Sequence, residues 1–179
     1  MAPPNYPAEI LKALGALNIP LERISARALA VHPEARSLVV AAREGNDREH
    51  LLAPAAAVAW AKMSYAASGD GIEVRIVSAF RSIERQAEIV GRKLESGLGL
   101  AAILAVNAPP GFSEHHTGRA VDITTAGCPP LDVAFSHTEA FRWLTDNAHR
   151  FSFALSYPEG NSDGYAYEPW HWCFQGGGD

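Results

Sequence analysis

The chain is poor in cysteine, has no long apolar run and carries no cluster of like charge, and each shortage removes a class of protein. Its two cysteines, Cys128 and Cys173, form neither a CxxC pair nor a disulfide framework. One bridge between them is allowed by their separation but nothing argues for it, so they leave the redox compartment open. Fifteen Lys and Arg stand against twenty Asp and Glu, a net charge of −5, and no basic run offers a nucleic-acid footprint. The most apolar stretch, residues 51–61, is Ala-rich and too short to span a bilayer. The opening segment, MAPPNYPAEILKALGALNIPLERI, lacks the basic and apolar regions of a signal peptide, so as written the chain reads as cytoplasmic. What remains is a globular composition, 47% hydrophobic and 20% charged over 179 residues, which fits one domain able to bury its own core. Nothing in it sets an oligomeric state.

Apolar spacing after Pro7 predicts a helix over 7–17, followed by an irregular stretch to about 48. Residues 49–67 read as a core helix, 73–79 as a strand, and 82–96 as a helix capped by Ser82 with Glu84 in its first turn. A short helix at 99–106 leads to the Pro/Gly loop NAPPGFSEHHTG and a strand at 119–124. Ser136-His137-Thr138-Glu139 has the pattern of a capping box opening a helix to about 149. Strands at 151–157 and 170–174 close the chain. Helices and strands mix without a βαβ repeat, so the expected class is α+β: a small antiparallel sheet with flanking helices. One domain is expected, with residues 1–48 an N-terminal extension of unknown role and 49–175 the core.

Only two neighbourhoods combine histidine with acidic residues and a strand. In Ser113-Glu114-His115-His116-Thr117-Gly118-Arg119-Ala120-Val121-Asp122, alternation turns Val121 and Ile123 to the core and Asp122 to the other side, while Gly118 lets the preceding loop fold back on the strand end. In Glu168-Pro169-Trp170-His171-Trp172, the aromatics take one face and His171 the other. Pro169 breaks regular pairing, so Glu168 belongs on a turn that can bend its carboxylate toward His171. Catalytic zinc needs three protein ligands, an open position and a nearby base, and these two segments contain the residue types for all of it.

S-x-H-x2-G-x-A-x-D followed by E-x-W-H resembles the signature of the D-alanyl-D-alanine metallopeptidases. That superfamily also includes vancomycin-resistance D,D-carboxypeptidases and dipeptidases, phage peptidoglycan endopeptidases and the hedgehog signalling domain. Ser113, His115, Gly118, Ala120, Asp122, Glu168, Trp170 and His171 match, and Ser78-Ala79-Phe80-Arg81-Ser82 with Gln86 resembles the family's S-x-[YF]-R-S-x3-Q element. The likeness spans roughly residues 50–174. It implies one zinc ion on His115, Asp122 and His171, with His115 rather than His116 as ligand, and Glu168 as catalytic base. It further implies that Arg81 binds a substrate carboxylate or the developing oxyanion, with Gln86 and Ser113 as further substrate contacts. The activity implied is hydrolysis of D-alanyl-D-alanine-type bonds in peptidoglycan stem peptides, a substrate of the cell envelope. Two alternatives stand beside it: an endopeptidase of the phage-lysin type, and a zinc-holding binding module without catalysis.

Overall fold

The computed structural model describes residues 6–45 and 48–177; the first five residues of the extension lie outside the described residues. The sheet that carries the site has four antiparallel strands in the order β3-β4-β6-β5. They are β3 (Arg75–Ser78), β4 (Ala120–Thr124), β5 (Phe153–Leu155) and β6 (His171–Phe174). A separate hairpin pairs β1 (Val39–Glu44) with β2 (Arg48–Leu52). Helices α1 (Ala8–Ala16), α2 (Leu21–Ser25), α3 (Pro54–Gly69), α4 (Ile83–Glu95), α5 (Leu100–Val106) and α6 (Glu139–Asn147) surround them.

Alternation along β4 and β6 decides the layering. Val121, Ile123 and Trp172 face a core shared with Trp60 and Met63 of α3, Trp143 and Leu144 of α6, and Phe135. The intervening residues, Asp122 and His171, face the other way and are buried as well. A sheet covered on both faces makes its central strand buried throughout, as all five β4 residues are.

Two local expectations are corrected. Residues 48–52 form a strand, and the helix begins only at Pro54, the N1 position where proline's missing N–H costs nothing. His50 and Leu52 are the buried alternate residues of that strand, and a single residue, Ala53, separates it from the helix, so the two periods run together in the sequence. The capping box at Ser136 does not form. Ser136 lies inside a 3-10 turn, Val133–His137, and donates to the Val133 carbonyl at 2.7 Å; Thr138 caps α6 instead, accepting from Phe141 N at 3.1 Å.

A second core occupies the other side of the sheet. Ile10, Leu14, Ile19 and Ile24 from the N-terminal extension bury against Ile83 and Val90 of α4, Ile103 and Leu104 of α5, and Phe112. The extension also reaches the site loop, with His32 N donating to Gly111 O at 2.9 Å and Ala35 N to His116 O at 2.8 Å. Both cysteines are free thiols. Among the described residues no helix is long and apolar enough to cross a membrane.

Candidate metal centre

Strand register brings two of the expected residues together. Asp122 of β4 is the cross-strand partner of the first residue of β6, His171, and both project from the same face. His171 Nδ1 lies 3.0 Å from Asp122 Oδ1. His115 arrives from a 3-10 turn, Glu114–Thr117, which Gly118 closes in the left-handed region at φ 64°. A Cβ there would stand 2.9 Å from Ala53 N, so glycine is required both by conformation and by space. Three hydrogen bonds tie this turn to the end of β3: His115 Nδ1 to Ala79 O (2.7 Å), His116 Nδ1 to Arg81 O (2.7 Å) and Arg81 N to His115 O (3.2 Å).

The hydrogen bonds decide the chemistry of each imidazole. Ala79 O can only accept, so His115 Nδ1 carries the proton and Nε2 presents a lone pair. That lone pair faces Asp122 Oδ2 at 3.2 Å, close enough for an ion pair, yet it makes no hydrogen bond. Burial first, and the Arg81 charge second, push the His115 pKa down to about 4, so it does not become a donor at neutral pH. Two buried acceptors 3.2 Å apart repel unless a cation sits between them. Donor atoms of His115, Asp122 and His171 all lie within 4.8 Å of one another, a set able to hold a metal ion. His116 is different. It is fully buried, gives its Nδ1 proton to Arg81 O and accepts from Gly111 N at 3.1 Å, so neither nitrogen is left for a metal.

Glu168 sits where a turn puts it. His171 N donates to Glu168 O at 3.1 Å, Glu168 N donates to Tyr157 O at 3.0 Å, and the carboxylate comes back to within 3.9 Å of His171 Nδ1. Burial raises its pKa to about 7, against the pull of His171 and Arg81. Asp122 behaves oppositely: burial would raise it, but His115 and His171 hold it well below the usual carboxylate range. Burial likewise works against the charged form of His171, yet its bonds to Asp122 and Glu114 prevail and lift its pKa to about 10.

These residues line one cavity of about 290 Å³, together with Arg81, Gln86, Ser113, Tyr157 and Tyr165. Gln86 is anchored by Nε2 to Ala108 O at 2.7 Å. Its Oε1, Arg81 Nε and Tyr165 Oη are buried without a partner among the described residues, and all three belong to the cavity wall. Natural proteins rarely leave such atoms unpaired, so a polar ligand is expected to meet them. All seven expected site residues are thus brought to one cavity. Glu114, Ser156 and Tyr165 were missed by sequence reasoning. Glu114 contacts Ser156 and His171, 42 and 57 residues away, and no spacing rule connects them.

An antiparallel sheet and the turn leading into it, which together present two imidazoles and one carboxylate to a single point with a second carboxylate held just outside, are suited to a single-metal hydrolase. The sequence profile described as VanY, D-alanyl-D-alanine carboxypeptidase, matches residues 49–177, and the chain belongs to this family. A D-alanyl-D-alanine carboxypeptidase of Enterococcus faecalis (strain ATCC 700802 / V583) is 34% identical over 121 residues, covering 62% of this chain and 43% of the relative. The chain therefore spans less than half of that relative's length. Among solved structures, the LdcB LD-carboxypeptidase, described with its peptidoglycan recognition, has a TM-score of 0.71 and 35% identity over 80% of this chain and 70% of that one. A mutant of the vancomycin-resistance D,D-pentapeptidase VanY in complex with Zn(II) has a TM-score of 0.61 and 29% identity, covering 78% and 79%.

Proposed function

We propose that the chain is a single-zinc D,D-carboxypeptidase that removes the terminal D-alanine from peptidoglycan stem peptides. The observation that carries this reading is the convergence of the His115 lone pair, the Asp122 carboxylate and His171 Nδ1 on one point beside the half-buried Glu168. His115, Asp122 and His171 hold the ion in this reading. A neighbouring family member was solved with Zn(II), and two nitrogen donors with one carboxylate suit that ion. When bound, zinc acidifies a water and polarises the scissile carbonyl.

Each further step belongs to a side chain. Glu168 takes the proton of the attacking water on its carboxylate and delivers it to the departing amine. Its environment suits that two-way traffic, since a group poised near pH 7 both accepts and returns a proton. Arg81 offers a buried, unpartnered Nε–H to the terminal carboxylate or to the charge growing on the carbonyl oxygen. Gln86 Oε1 accepts from a substrate N–H, and Ser113, 4% exposed on the cavity wall, contacts the terminal residue. The buried, unpaired Arg81 donor favours a peptide that ends in the cavity over one that runs through it, hence a carboxypeptidase over an endopeptidase. The cell envelope, where that substrate resides, is the proposed place of action.

Incubating zinc-loaded protein with pentapeptide precursor and muropeptides, and weighing the products, tests the reading. Loss of one alanine from the pentapeptide is expected. Internal cleavage of the stem would make it an endopeptidase, and absence of any cleavage would make it a binding module.

A further inference from the structure

Glu114 lies between Ser113 and His115, and among the described residues its carboxylate is the one hydrogen-bond partner of the outer nitrogen of His171. Its Oε2 lies 2.9 Å from His171 Nε2 and also accepts the Ser156 hydroxyl at 2.6 Å. The carboxylate is 19% exposed and His171 is 4% exposed, so water competes poorly for this bond. The ring is bracketed on other sides as well. Tyr157 lies across it at 4.7 Å between centroids with a tilt of 36°, and His115 meets it edge-on at 4.9 Å.

An ionised carboxylate only accepts, so the nitrogen facing Glu114 must carry a proton. That leaves Nδ1, 3.0 Å from Asp122, as the nitrogen with a lone pair for a metal. His115 receives the same service from a backbone carbonyl, Ala79 O, which no substitution can remove. For His171 the orienting group is a side chain, itself held by a second one. We infer that Glu114, braced by Ser156, is a positioning residue that fixes the tautomer and ring plane of His171 for metal binding. This rests on the reading of His115, Asp122 and His171 as zinc ligands. Partners of this kind make a ligand more basic and spare it the search among ring orientations.

The test is metal binding by the whole chain, independent of turnover. Zinc affinity is measured by competition with a chromophoric chelator for wild type, Glu114→Ala, Glu114→Gln and Ser156→Ala, and the Co(II)-substituted proteins are compared by absorption. Glu114→Ala should weaken zinc about 10–100-fold, the range typical of lost orienting partners, and should shift the Co(II) bands. Glu114→Gln keeps an acceptor for Nε2–H, so it should restore the bands and recover part of the affinity. Ser156→Ala should fall between Gln and wild type. Should Glu114→Ala fail to fold, Glu114→Gln decides, since a neutral acceptor must still bind zinc more weakly than the carboxylate. Wild-type affinity and unchanged bands in both Glu114 variants overturn the inference while leaving the ligand set standing. Failure of the wild type to take up zinc overturns the ligand set and the inference with it.

Discussion

Zinc and a proton compete for Nδ1 of His171, and the structure sets the terms. In the metal-free protein burial disfavours the imidazolium, but the flanking Asp122 and Glu114 carboxylates hold its pKa at about 10. At pH 7 roughly one molecule in 10³ has Nδ1 free, a penalty of about 4 kcal/mol on metal binding. The sign follows directly: raising the pH removes the competing proton, so zinc affinity must rise. Glu168, at about 7, can only add to the effect, because its proton is expelled by the same positive charge. Apparent affinity should therefore increase at least about tenfold per pH unit, close to 100-fold between pH 5.5 and 7.5. Chelator competition across that range measures it, and calorimetry in buffers of different ionisation enthalpy counts the released protons. An affinity constant within about twofold over the two units would refute the protonated His171 and the hydrogen-bond pattern behind it.

Other consequences follow from single residues. In chelator, the stability that His171 contributes is complete below pH 6.5 and lost as the pH climbs through about 10; the difference in urea midpoint between wild type and His171→Asn should close over that window, and a gap that widens would contradict the shift. Gly118→Ala forces a left-handed alanine against Ala53 N, and the two effects together should cost about 2–4 kcal/mol in urea unfolding, whereas a loss below about 0.5 kcal/mol would mean that the turn relaxes freely. Leu14→Ala, in the extension and wholly buried against α4 and α5, should lower stability by about 2–5 kcal/mol, and a surface-like change under about 0.5 kcal/mol would show the extension to be dispensable.

The site was more legible than the frame around it, for a physical reason. Period-two alternation is short-range information, so it correctly turned Asp122 and His171 away from the core that Val121, Ile123 and Trp172 fill. Gly118 and Pro169 were equally readable, because a left-handed turn and a broken ladder leave their own residue types behind. The β2–α3 junction was not, because Ala53 alone separates a strand from a helix of similar composition. Glu114 was invisible on different grounds. Its partners, Ser156 and His171, come from remote segments, and only the assembled sheet puts the three side chains in contact. The same holds for residues 6–36: the helix at 7–17 was readable from its apolar spacing and the stretch after it was irregular, but neither gave a sign that they brace α4 and the loop at Gly111.

The division of labour between the three ligands and Glu168 is most directly tested by one paired measurement: zinc content and D-alanine release for wild type, His115→Ala, His171→Ala and Glu168→Ala. The expected result is one zinc per chain in wild type and in Glu168→Ala, with both histidine variants depleted. Turnover should be retained by wild type alone, with Glu168→Ala slower by about 10²–10⁴-fold, the usual worth of a general acid–base. A Glu168→Ala variant that binds zinc and still turns over at the wild-type rate would contradict the account at its centre.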